Sequence, residues 1–173
     1  MGKRLLNLVI LIMFALPAFS QNLVSGLMSE INENDKSNVM QINVSGKMLM
    51  LAAKNDKDID ANTKELFKNI DKISVVIGLP ANQKVKKLLE EKLEIYDELM
   101  SVIEDNQTIM MYTKESKGVI NEFILSVFSY NSIEVLMSIT GKIELEHLAA
   151  LSEGLNVQGA EQLKKLKTKN KDK

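Results

Sequence analysis

The chain has no cysteine and no tryptophan, and its 173 residues include one histidine and two prolines. Without cysteine, disulfides, thiolate metal sites and a lipid anchor on an N-terminal Cys are excluded, so stability rests on the core. With His147 alone, no zinc site with two histidines forms within one chain, and a Ser-His catalytic pair has no second candidate. His147 falls between Leu145 and Leu148, in helical spacing, and reads as a structural or surface residue. Aromatic residues make up only 5%, so the core is built from Leu, Ile, Val and Met. The glycine-rich phosphate loops G-x-x-x-x-G-K-[ST] and G-x-G-x-x-G are absent, as are the nucleophile elbow G-x-S-x-G and any internal repeat.

What is present begins with the features of an export signal. Lys3 and Arg4 precede an apolar run from Leu5 to Leu16, and Pro17-Ala18-Phe19-Ser20 puts small residues three and one before a cut ahead of Gln21. The run is shorter than the roughly 20 apolar residues of a membrane span, so cleavage is expected rather than anchoring. Residues 1–20 therefore read as a signal peptide, and the product as a protein of the periplasm or the medium, not lipidated. Losing Lys3 and Arg4 takes the formal charge from −1 to −3, which leaves no broad nucleic-acid footprint. The remaining length suits one domain: an N-terminal arm over 21–38, a single domain over 39–155 and a Lys-rich tail over 156–173. Lys164, Lys165, Lys167, Lys169, Lys171 and Lys173 form a solvated end that touches a membrane peripherally at most.

The longest apolar stretch of the domain, Val119 to Ile143, reads as a β-hairpin turning at Asn131-Ser132. From Ser132 on, Ile133, Val135, Met137, Ile139 and Ile143 alternate with Ser132, Glu134, Ser138, Thr140 and Lys142, the period of a strand with one buried face. Val119 to Tyr130 is apolar at both parities, as a strand covered on both sides would be. A loop at Asn131-Ser132 pairs Tyr130 with Ile133, Phe128 with Val135 and Ile124 with Ile139, whereas a loop one residue longer exchanges the faces.

Upstream, Gln21 to Asn38 reads as a short helix or loosely docked arm, with Leu23, Leu27, Met28 and Ile31 as anchors. Val39 to Val44 is an edge or second-rank strand, Lys47 to Lys54 a helix, and Asp60 a cap for a helix running through Leu66, Phe67 and Ile70. Ile73 to Leu79 is a buried strand, and Asn82 to Tyr96 an amphipathic helix with Val85, Leu88, Leu89, Leu93 and Tyr96 on one face. Then come strands Leu99 to Ile103, Thr108 to Thr113, Ile120 to Tyr130 and Ile133 to Lys142, separated by turn signals of hairpin length. Glu144 to Leu155 reads as a closing helix with Gly154 near its cap. The fold class expected is α+β: an antiparallel β-meander of about four strands, one or two earlier strands, and helices packed on the sheet.

The stretches Ile42-Asn43-Val44-Ser45-Gly46-Lys47-Met48-Leu49, Ile70-Asp71-Lys72-Ile73-Ser74-Val75-Val76, Tyr96-Asp97-Glu98-Leu99-Met100, Ile120-Asn121-Glu122-Phe123 and Ser138-Ile139-Thr140-Gly141-Lys142-Ile143-Glu144-Leu145 resemble, in order and spacing, the DUF4252 domain family. These are small exported proteins of Bacteroidetes-type Gram-negative bacteria. The resemblance implies an envelope location and an uncharacterised function with a lean towards regulation, and it carries no catalytic residues with it.

Other constellations read as structural. Asp56-x-Asp58-x-Asp60 imitates a calcium loop, but Ala61 stands where the EF-hand turn requires Gly and Phe67 where it requires Glu. Glu90, Glu91, Glu94, Asp97 and Glu98 could pair carboxylates for acid–base work, yet they alternate with Lys86, Lys87 and Lys92 as a solvated helix face does. Met48, Met50, Met100, Met110, Met111 and Met137 are spread over four elements without an M-x-x-M cluster, so they are gap-fillers rather than a copper site. No cofactor, metal or catalytic residue is assigned. The surplus of apolar sheet surface gives a candidate interaction face of Phe123, Leu125, Val127, Leu136, Met110 and Tyr112. The expectation is a non-catalytic binding or regulatory accessory module whose partner is an envelope protein or a second copy in a homodimer. A carrier of a small apolar ligand or lipid is the alternative, and an enzyme using carboxylates is a further one.

Overall fold

The computed structural model describes residues 22–56, 59, 61–104 and 106–144. In chain order the elements are α1 (Leu23–Glu30), a 3-10 turn (Glu33–Lys36), β1 (Met40–Ser45), α2 (Gly46–Asn55), α3 (Ala61–Asn69), β2 (Ile70–Pro80), α4 (Gln83–Leu93), β3 (Asp97–Glu104), β4 (Gln107–Ser116), β5 (Val119–Ser129) and β6 (Ser132–Ile143). The six strands form one antiparallel sheet in the order β1-β2-β6-β5-β4-β3. α4 carries the chain from β2 to the far edge. From there β3 to β6 return as the expected meander until β6 pairs with β2, and β1 and β2 are the two earlier strands.

Local chemistry starts three of the helices. Asn22 Oδ1 accepts from the Ser25 N–H at 2.8 Å, Ser45 Oγ from Met48 at 3.3 Å and Asn82 Oδ1 from Val85 at 2.9 Å, each satisfying a donor that the first helical turn leaves unpaired. Asp60, the expected cap of α3, lies outside the described residues, and α3 stops at Asn69, so that Ile70 is the first residue of β2.

Helices lie on both faces of the sheet. On the first, Leu23, Val24, Leu27, Met28 and Ile31 of the α1 segment and Val85 and Leu89 of α4 pack with Val76, Leu79, Tyr112, Ile124, Ile133 and Leu136. On the second, Leu66 of α3 and the half-buried Leu49 of α2 and Phe67 of α3 join Ile73, Ile109, Met111, Phe123, Leu125, Val127, Met137 and Ile139. Side chains fully buried in this way stabilise the fold by roughly 1.5–3 kcal/mol each. The N-terminal arm is therefore a core element, not a loosely docked one. Lys92 Nζ, 2.6 Å from Glu30 Oε1, ties α4 to the end of α1.

The hairpin register differs from the one expected. Ser129 pairs with Ser132, so the loop is Tyr130-Asn131; Phe128 pairs with Ile133, and a bulge at Glu134 then sets Val127 opposite Val135 and Phe123 opposite Ile139. A one-residue offset exchanges faces in a period-two structure. The expected grouping is corrected accordingly: Phe123, Leu125 and Val127 share the second face with Ile109 and Ile139, while Met110, Tyr112 and Leu136 share the first with Ile124 and Phe128.

Two glycines of the family-like stretches are required by one close approach. A Cβ on Gly46 would run into the carbonyl oxygen of Ile70, and one on Gly141, at φ 150°, into that of Asn69. Both pack against the α3–β2 junction, where Ile70 pairs with Gly141, and only a residue without a side chain fits there.

Candidate functional site: the open β1 edge

β1 reads Met-Gln-Ile-Asn-Val-Ser, with no charge and no proline. It is antiparallel to β2 in an unbroken register, with Met40 opposite Ile77, Ile42 opposite Val75 and Val44 opposite Ile73. These six residues continue the second face of the sheet. Towards the edge that face is uncovered: Met40 is 58% exposed, Ile42 42% and Ile77 39%. On α2, the next element in the chain, Met48 and Leu51 are about as exposed as Met40. The opposite row of β1, Gln41 and Asn43, is polar, and Asn43 Oδ1 accepts from Ser74 Oγ at 2.8 Å. Along the outer side of β1, alternate N–H and C=O groups have no neighbouring strand among the described residues.

The other edge, β3, is built differently. It carries Asp97, Glu98 and Glu104, and a bulge between Glu98 and Met100 interrupts its ladder with β4. Charges and bulges of this kind keep a sheet edge from pairing with another chain, and β1 has neither.

A second cluster, buried beneath α1, reads as structural. Glu122, 4% exposed, accepts from the Leu23 N–H at 2.8 Å, Ser138 Oγ at 2.5 Å and Tyr96 Oη at 2.7 Å. Asn22 Nδ2 donates to Ser74 Oγ at 2.8 Å, extending the polar belt to Asn43 on β1. The positive end of the α1 dipole faces the carboxylate. Three donors on one buried acid make it an anchor for α1, with no oxygen turned towards solvent. Burial, and then the bond to Glu122, push the Tyr96 phenol far above its ordinary range. Burial, and then the charge of Glu98, also raise Tyr112.

The six residues expected to form one interaction face are divided between the two faces. Phe123, Leu125, Val127, Tyr112 and Leu136 are buried and Met110 is half-buried. Exposed apolar residues are grouped at β1, the adjoining Ile77 of β2 and α2 instead, with Ile95, Ile103, Val119 and Tyr130 exposed singly elsewhere, and composition alone does not distinguish that location from a covered strand. An open depression of about 690 Å³ lies at the outer end of the β5–β6 ladder, lined by Glu115, Val119, Ile120, Lys142 and Glu144 among others, with charges of both signs. Among the described residues no three His, Asp or Glu side chains are grouped as metal ligands, and no helix is long and apolar enough to cross a membrane. Asp58 and Asp60 of the acidic loop, His147, the closing helix and the Lys-rich tail lie outside the described residues.

No curated protein and no solved structure matches the chain. One family model does, over residues 32–151, from just before β1 to beyond β6, and it is described as a domain of unknown function. By that match, which covers more than half of the sequence, the chain belongs to the DUF4252 family.

Proposed function

We propose that this is an exported, non-catalytic protein of the cell envelope that acts by binding another macromolecule through the β1 edge and the apolar residues beside it. The observation that carries the reading is the uncharged, uncovered β1 edge with Met40, Ile42 and Ile77 in register beside it. Extended segments add to such edges through main-chain hydrogen bonds, and alternate side chains supply the selectivity. Export is supported by Lys3-Arg4, the apolar run to Leu16 and the small residues before Gln21. The absence of nucleotide-loop and nucleophile-elbow motifs, together with a Glu122 engaged by three donors, favours binding over chemistry.

The test is a photo-crosslinking residue at position 42 in living cells, followed by mass spectrometry of the adducts, with position 103 on the β3 edge as the control. A discrete adduct from position 42 that is missing from position 103 is the expected result. Equal labelling from both edges, or none from either, would remove the edge from consideration.

A further inference from the structure

We infer that the β1 edge takes the β1 strand of a second copy of this chain, joining two six-stranded sheets into one across a two-fold axis. The inference rests on the reading of β1 as a docking edge and names its occupant.

The first support is self-complementarity. Residues directly opposite in an antiparallel pair share a face, so a two-fold axis through Ile42 sets it against the second copy's Ile42. Met40 then lies opposite the second copy's Val44, and Gln41 opposite its Asn43. The apolar row Ile77-Met40 continues into Val44 and Ile73 of the other copy, covering Met40 and Ile42, which are exposed in the single chain. On the polar row, Asn43 Oδ1 is used by Ser74. Among the described residues the Asn43 amide N–H groups and the whole Gln41 amide make no hydrogen bond, so each meets a complementary amide across the axis.

The second support is the inequality of the two edges. A β3–β3 pairing would bring Asp97, Glu98 and Glu104 of two chains together across a bulged strand, with like charges opposed. A β1–β3 pairing is head-to-tail and open-ended, and those features of β3 block it as well. Only the uncharged edge remains, and pairing it with itself closes the assembly at two copies.

The experiment uses the protein as its cells produce it. Light scattering at about 100 μM, where an interface of micromolar affinity is mostly occupied, should return twice the mass of one chain. Ile42→Lys should return a single chain with unchanged circular dichroism, and a thermal midpoint that, unlike the parent's, does not rise with protein concentration. Because the chain has no cysteine, Ile42→Cys should give a disulfide-linked pair under mild oxidation, and Ile103→Cys on the β3 edge should not. A single chain at that concentration, a pair that survives Ile42→Lys, or equal crosslinking at positions 42 and 103 would each overturn the inference. A single chain that still photo-crosslinks from position 42 to a different protein in cells would overturn the second copy while leaving the docking edge in place. A single chain that labels nothing would overturn both.

Discussion

Glu122 on β5 accepts a hydrogen bond at 2.8 Å from the backbone N–H of Leu23, 99 residues earlier, and through it the N-terminus of α1 is fixed to the middle of the sheet. The same carboxylate holds Ser138 on β6 and Tyr96 at the entry to β3. Glu122→Ala leaves one backbone N–H and two hydroxyls without their acceptor in a buried site, at a cost of about 3 kcal/mol or more. Glu122→Gln keeps one oxygen for Leu23 and Ser138 and turns its amide towards Tyr96, whose hydroxyl rotates to accept, so its cost is nearer 1–2 kcal/mol. Urea denaturation of both variants checks the ranking. Equal loss in the two would contradict an anchoring role that depends on hydrogen-bond count.

Tyr96 gives the anchor a pH limit. Burial and Glu122 hold its phenol protonated in the folded chain, while in the unfolded chain it titrates near its ordinary value of 10.0. Above that pH the unfolded state has lost a proton that the native state retains, so the native state binds more protons and stability falls as pH rises. The contribution is complete below pH 10 and is lost progressively above it. Tyr96→Phe should be less stable at neutral pH, because Glu122 loses a donor, and should show a shallower decline between about pH 10 and 11. Chemical denaturation across that range measures both slopes; parallel slopes would assign the alkaline loss to another group.

The α3–β2 junction makes opposite predictions for two kinds of glycine. Gly46→Ala and Gly141→Ala each force a Cβ into a backbone carbonyl that cannot move aside, and each should cost on the order of 2–4 kcal/mol. Gly26 sits inside α1, where a Cβ would meet only the flexible end of Lys92 at 3.6 Å. Gly26→Ala should therefore stabilise by about 0.5–1 kcal/mol through helix propensity and a restricted unfolded chain. Thermal midpoints of the three variants decide whether close approach, rather than glycine content as such, explains these positions.

The strands were legible because period two survives in β6 and turn signals of hairpin length separate β3 to β6, and the helices because their apolar spacing and N-caps are local. Register was not, since both Tyr130-Asn131 and Asn131-Ser132 make a plausible two-residue turn and the bulge at Glu134 has no sequence signature of its own. That error merged Leu136 with Phe123, Leu125 and Val127, and a second bulge, at Asn121 on β5, is what separates Met110 and Tyr112 from them by setting these opposite Ser126 and Ile124. The anchor did leave a signal. Glu122 shares its parity with Ile124, Ser126 and Phe128 on a strand apolar at both parities, and an acid in that place needs partners. What could not be read was that Met40 and Ile42 are uncovered, because an apolar edge strand and a covered one have the same composition.

The spacing of Leu23, Leu27, Met28 and Ile31 marked one side of a helix, and all four are buried against α4 and the sheet. Leu27 is wholly buried. Truncating a side chain in such a place forfeits its transfer free energy and leaves a cavity that close-packed neighbours fill only partly, so Leu27→Ala should cost about 2–5 kcal/mol. An arm resting loosely on the surface would lose well under 1 kcal/mol for the same change. Native-state hydrogen exchange sharpens the contrast, because the amides of residues 25–31 should exchange only with global unfolding in the parent chain. If they exchange quickly there while the β5 and β6 amides stay protected, α1 opens independently, and the bond between Leu23 and Glu122 is a latch rather than a permanent tie.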